Sequence, residues 1–305
     1  MADRQHYVSQ FHLREFVDPL ANQSAAPWVW VANLKQSTIK KRAPHNFAWS
    51  RGLFEGPGAL ANRQTTLESH FATEVENAAA TALRELIQGK VISGAIAPEI
   101  TRYLAWAAAR SLPMKSMFQD WINANLLDNT MECVEPPLVD AYDIHPIHRN
   151  FKMEHSVTGL IEDVTAENIE KKRRDGWRLL LSNDDFLEIM HLQAWYFQAR
   201  FFPRLKWIIL RAPANKYFIL GDRPVAWGFS GKFDARPSAL RLPTVQLFAP
   251  LTRSIALFAH HADGAQPVDI AADDVNKFMA KCAHSWLAGP TENSVIEALA
   301  KREIH

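Results

Sequence analysis

The sequence predicts an α+β chain: a helix-rich single domain over residues 1–305 with a small, largely antiparallel sheet built from residues 28–33 and 206–260. Three observations lead there. Apolar residues recur at every third or fourth position through much of the first two thirds, the period of a half-buried helix. Short apolar runs separated by Pro, Gly, Asn and Asp fill the last third, the pattern of strands joined by turns. A chain of 305 residues, 48% apolar and 22% charged, can also bury a large core, so neither disulfides nor a metal are needed for folding.

In chain order, Trp28–Asn33 is β-branched and aromatic behind Pro27 and suits a strand; the basic stretch Lys35–Arg42 follows. From Thr65 the pattern turns helical, with Leu67, Phe71, Val75, Ala79, Leu83 and Leu86 on one face, Glu68 placed to reach back to the cap, and Gly89 at the end. Pro98 opens a second helix through Tyr103, Trp106 and Ala109, and a third runs through Met117, Trp121 and Ile122. Residues 133–165 hold Pro136, Pro137, Pro146 and three histidines with few apolar periods, which predicts a long irregular connection or insertion. Helix returns over 168–174 and 184–202. The runs beginning at Trp207, Tyr217, Val245 and Ile255 predict strands, and a last helix spans about 271–286. No repeat period, heptad seam or low-complexity tract is visible.

Charge excludes a strong overall field. Thirty-four Lys and Arg stand against 33 Asp and Glu, a formal charge of +1, so nothing global draws the chain to nucleic acid or anionic lipid. Two cysteines, Cys133 and Cys282, without a C-x-x-C pair fit a reducing compartment and speak against a cysteine-based zinc site. The start carries Asp3 and no apolar stretch behind it, and the most apolar run, Tyr103–Ala109, falls far short of the ~20 residues a membrane span needs. A cytoplasmic protein with no membrane association is expected.

The opening His6-Tyr-Val-Ser-Gln10-Phe-His-Leu-Arg14-Glu-Phe16 resembles the hallmark of a bacterial domain-of-unknown-function family, number four-two-three-eight, whose members usually begin His-Tyr-Val-Pro-Gln-Phe-Tyr-Leu-Arg-Asn-Phe. Further pieces fall in the family's order: Trp28-Val-Trp-Val-Ala, Leu67-Glu68 with Glu74, and Arg110-Ser-Leu-Pro113. Tyr217-Phe-Ile-Leu-Gly-Asp222-Arg-Pro224-Val is similar to its Phe-Ile-Thr-Ser-Asp-Asn-Pro-Val, with Phe248-Ala-Pro250-Leu251 and Asn276 after it. The likeness covers nearly the whole chain. This sequence departs from the pattern at Ser9, Gly221 and Arg223. The resemblance implies positions rather than an activity.

Each candidate for chemistry has a plain structural alternative. His6, Gln10 and Arg14 are spaced by four and would share one face of a helix, able to hold a phosphate or orient a water; a capping and packing role is the alternative. Glu68 and Glu74 lie nearly two turns apart, and Glu74 sits beside the apolar Phe71 and Val75, where a carboxylate needs a partner; Glu76 and Glu85 read as solvated. Asp222 ends an apolar strand, a usual place for a catalytic acid, or else closes an Asx turn with Gly221 and Pro224. His145, His148 and His155 have metal-ligand spacing without the Cys or Glu that would complete it, and His260-His261 reads as a turn.

Signatures of serine hydrolases, P-loop proteins, Rossmann dehydrogenases, zincins and kinases are absent. Two functional expectations follow. One is a metal-dependent hydrolase of a phosphodiester or nucleotide: His6, Glu74 and Asp222 catalytic, Glu74 and Asp222 holding Mg or Mn, and Gln10, Arg14, Arg110 and Asn276 binding a small-molecule or nucleic-acid substrate. The other is a non-enzymatic binding or regulatory component of a bacterial defence or toxin system that meets a protein partner through residues 133–165. Oligomeric state is not legible.

Overall fold

The structure is a computed structural model and describes residues 4–21, 24–51, 53, 71–89, 97–116, 119, 151–164, 166–180, 183–229, 232–233, 240, 242–261 and 270–303. The strands, in chain order, are β1 (Arg4–His6), β2 (Val29–Asn33), β3 (Thr38–Arg42), β4 (Trp49–Arg51), β5 (Phe151–His155), β6 (Ile161–Val164), β7 (Trp177–Leu180) and β8 (Leu205–Arg211). They continue with β9 (Leu220–Gly221), β10 (Ala226–Phe229), β11 (Lys232–Phe233), β12 (Val245–Pro250), β13 (Ile255–His261) and β14 (Trp286–Gly289). The helices are α1 (Gln10–Arg14), α2 (Asn77–Ile87), α3 (Pro98–Ala109), α4 (Ala166–Arg174), α5 (Asn183–Tyr196), α6 (Ala272–Cys282) and α7 (Glu292–Glu303). Wider π turns precede α2 (Phe71–Glu76) and extend α5 (Phe197–Phe201). The α+β expectation holds, and every strand pair among the described residues is antiparallel.

The strands divide among several sheets. A five-stranded sheet runs β11-β10-β12-β13-β8, while β2 joins a separate four-stranded sheet, β3-β2-β14-β9. In the first, β12 and β13 are almost wholly buried because they read V-Q-L-F-A-P and I-A-L-F-A-H, apolar on both faces. One face carries the cross-strand partners Phe248 and Phe258, and Phe248 meets Phe278 of α6 at 4.7 Å between centroids. The opposite face carries Trp227, which stacks edge-on against Phe197 at 5.5 Å. Helices thus cover both faces. At the edge, β8 is largely exposed.

Helix α3 begins with Pro98 in its first turn, and Tyr103 to Ala109 are buried all round, as an apolar helix without a polar stripe must be. Alanines at 105, 107, 108 and 109 let neighbours approach closely. Arg110 then ends the helix while still buried.

Four sequence expectations change. His6 is in strand β1 and helix starts only at Gln10, so the four-residue spacing does not make one helical face. Residues 151–155 and 161–164, expected to be irregular, pair as a hairpin within a three-stranded sheet, β6-β5-β7. His260 and His261 belong to β13 rather than a turn. The last predicted helix stops at Cys282, Trp286 opens a strand, and α7 follows. The predicted third helix near Trp121 and the residues Glu68, Cys133, His145 and His148 lie outside the described residues. Among the described residues no helix is long and apolar enough to cross a membrane.

Candidate active site at the buried opening segment

The opening hallmark is core. Tyr7, Val8, Ser9, His12, Leu13 and Phe16 are all buried, and their polar atoms are matched to groups far along the chain. Trp286 Nε1 donates to the Tyr7 hydroxyl at 2.8 Å. His12 Nε2 lies 2.7 Å from the Pro250 carbonyl, so it carries the proton, and Nδ1 accepts from the Tyr103 hydroxyl at 2.9 Å. Burial depresses the His12 pKa to about 4 against the opposing pull of the Pro250 carbonyl. Burial likewise raises the Tyr103 phenol, with the neighbouring Ser9 hydroxyl and the Arg110 charge opposing the rise and the nearby Glu76 carboxylate adding to it.

Beside this buried pair stands the group with the most chemical potential in the described chain. The Ser9 hydroxyl donates to Glu76 Oε1 at 2.5 Å. The same oxygen lies 3.9 Å from Arg110 Nη1. The Arg110 guanidinium rests on the Phe71 ring at 4.1 Å. Side-chain exposure is 5% at Arg110 and 25% at Glu76, so the carboxylate is the member that reaches solvent. His6 Nδ1 and Gln10 Nε2 approach within 3.4 Å on the same short segment.

Local backbone explains why Glu76 is the acid that turns inward. Phe71–Glu76 is π-helical, with bonding from i to i+5 in place of i to i+4. That spacing brings Phe71 and Glu76 to one side, where both meet Arg110. An ordinary helical period puts Glu74 closer to Phe71, but Glu74 is exposed.

The remaining sequence candidates occupy other surroundings. Asp222 is buried, and its two oxygens accept the backbone N–H groups of His284 at 2.9 Å and Ser285 at 2.5 Å. Burial raises its pKa despite those two bonds and the positive charge of Arg223. This is a carboxylate that ties the turn before β14 to the end of β9. Asn276 Oδ1 accepts from Ile219 N–H at 3.0 Å and its Nδ2 donates to the Tyr217 carbonyl at 2.7 Å, bracing α6 to the chain entering β9. Arg14 is exposed at the end of α1. The structure therefore brings together His6 with Gln10, and Arg110 with Ser9 and Glu76. Glu74 is exposed instead, while Asp222 and Asn276 bond backbone groups around β9.

Of the two carboxylates expected to hold Mg or Mn, Glu74 is exposed and Asp222 has both oxygens engaged by backbone N–H groups. Among the described residues no three His, Cys, Asp or Glu side chains are grouped for a metal.

Fold and site together define a mixed α+β protein whose opening segment is buried beside a serine, a glutamate and an arginine. It belongs to the family described as protein of unknown function (DUF4238), whose profile matches residues 4–292. No curated protein and no solved structure matches the chain.

Two stability predictions follow. Because His12 is neutral when folded down to about pH 4 while its unfolded pKa is near 6.5, the unfolded chain binds the extra proton in that window. Stability therefore falls as pH drops from about 6.5 to 4, and the slope of Tm against pH over that range should flatten in His12→Gln relative to the parent. Asp222→Ala removes the acceptor for two backbone donors and should cost about 1–3 kcal/mol in denaturant titration, with Asp222→Asn recovering part of it.

Proposed function

We propose that the protein is a hydrolase of a phosphodiester or nucleotide, with Ser9, Glu76 and Arg110 as its reacting centre. One observation carries this reading: a single oxygen, Glu76 Oε1, accepts the Ser9 hydroxyl at 2.5 Å and lies 3.9 Å from a buried guanidinium. A nucleophile within hydrogen-bond reach of a base, with a cation beside both, is the arrangement that covalent hydrolysis of an anionic ester requires. π turns such as the one presenting Glu76 recur at functional sites, which adds support.

In this reading Glu76 takes the Ser9 proton as Oγ attacks phosphorus, and Arg110 offers N–H groups to the phosphoryl oxygens. The bond from phosphorus to the leaving alcohol breaks, and the proton on Glu76 passes to that oxygen. Water, deprotonated by Glu76, then attacks the phosphoseryl phosphorus; the bond from phosphorus to Ser9 Oγ breaks, Glu76 returns the proton to Oγ, and a phosphate monoester leaves. His6 and Gln10 supply polar contacts to the rest of the substrate. No step uses a metal ion.

The test is hydrolysis of bis(4-nitrophenyl) phosphate, a nucleotide panel and a single-stranded oligonucleotide by the purified protein. Ser9→Ala and Glu76→Gln should each lower kcat/KM by at least about 100-fold while circular dichroism reports folded protein, and Glu74→Ala should stay within about twofold. Full activity in Glu76→Gln, or no cleavage of any of these esters by the parent protein, removes the proposal.

A further inference from the structure

Of the described strands that end a sheet, two carry exposed large apolar side chains on or beside the edge, and their charges are opposite. The first is β8, the last strand of the five-stranded sheet. It pairs only with β13, and the bond from Ala212 N–H to the Ser254 carbonyl extends that ladder. By the alternation of antiparallel pairing, Leu210, Ile208 and Lys206 therefore turn their backbone groups toward β13, while Leu205, Trp207, Ile209 and Arg211 turn theirs outward. Ile208 and Ile209 are 36% and 39% exposed. Arg204, Lys206 and Arg211 flank them, all exposed.

The second edge is β6, the outer strand of the sheet β6-β5-β7. The His155 N–H to Leu160 carbonyl bond sets its phase, so Ile161 and Asp163 turn their backbone groups away from β5. Leu160 and Ile161 are 59% and 57% exposed. The charges here are acids, Glu162 and Asp163, of which Glu162 is shared with Lys172. Edges with exposed apolar side chains that no described residue pairs with are what proteins ordinarily protect.

We infer that β6 of one copy pairs antiparallel with β8 of a second copy of this chain, joining the sheets of neighbouring molecules. One register satisfies backbone, charge and apolar matching at once. With Glu162 opposite Lys206, Leu160 falls opposite Ile208 and Ile161 opposite Trp207. In that register the outward groups of Ile161 and Asp163 meet the outward groups of Trp207 and Leu205, as an antiparallel ladder demands. Self-pairing of two β8 edges lacks the charge match, since each brings only cations. The contact uses a different surface on each copy, so it runs head to tail until a ring closes. It stands apart from the hydrolase reading and fails separately from it.

Sedimentation velocity over a wide concentration range at physiological ionic strength tests this. The parent chain should associate as concentration rises, and added salt should weaken the association. Lys206→Glu and Glu162→Lys should each sediment as monomers, and an equimolar mixture of the two should associate again, because each supplies the intact edge that the other lacks. Both substitutions are at exposed positions, and circular dichroism checks that the variants fold. A parent chain that stays monomeric throughout, association that survives both substitutions, or a mixture that stays monomeric overturns the inference.

Discussion

The constraint on which the rest of the structure depends is the burial of Tyr7, Val8, Ser9, His12, Leu13 and Phe16 to Asp18, with polar atoms of this segment matched to other parts of the chain. Tyr7 meets Trp286, Ser9 meets Glu76, and His12 bridges Tyr103 and the Pro250 carbonyl. Asp18 accepts from Trp30 Nε1, and the Val17 carbonyl accepts from Arg253. Each bond is modest in net terms, about 1 kcal/mol, but leaving one partner buried and unpaired costs more. The segment can therefore sit in only one place. From that place it links β14, α3, the π turn before α2, and both large sheets.

The same constraint shapes the chemistry. Arg110 lies just past the C-terminus of α3, where the helix carbonyls favour a cation, and its flat face rests on Phe71. Its charge is held in a largely dry setting and aimed at Glu76 without first reorganising solvent. Ser9 is positioned by the turn into α1, and Glu76 by the π turn. Three separate pieces of chain thus converge on one carboxylate oxygen.

Much of this was legible from residue pattern. The helix opening at Pro98 and the strands starting near Trp207, Val245 and Ile255 stand where apolar period and flanking Pro, Gly and Asn place them, and the charged run over 168–174 is helical as expected. Which strands share a sheet was not legible, because antiparallel partners such as β2 and β14 are separated by most of the chain. Arg110 and the His6–Gln10 pair emerged from the family hallmark, but Glu76 did not. A regular helical period assigns it to solvent, and only the extra residue in the π turn brings it to Ser9. Glu74 and Asp222 looked alike as strand- or helix-borne acids, yet one faces water and the other caps a backbone turn. His260 and His261 read as a turn because polar pairs usually mark one, whereas ring-to-carbonyl bonds to His261 and Leu240 let them stay in a strand.

Native-state hydrogen exchange bears most directly on the keystone role of the opening segment. The amides of Tyr7, Leu13 and Asp18, bonded to the Ala48, Ser9 and Trp28 carbonyls, should exchange only through global unfolding, with the same opening free energy as the core of β13. Exchange of these amides at the low opening free energies of a fraying terminus, while β13 stays protected, would contradict the account.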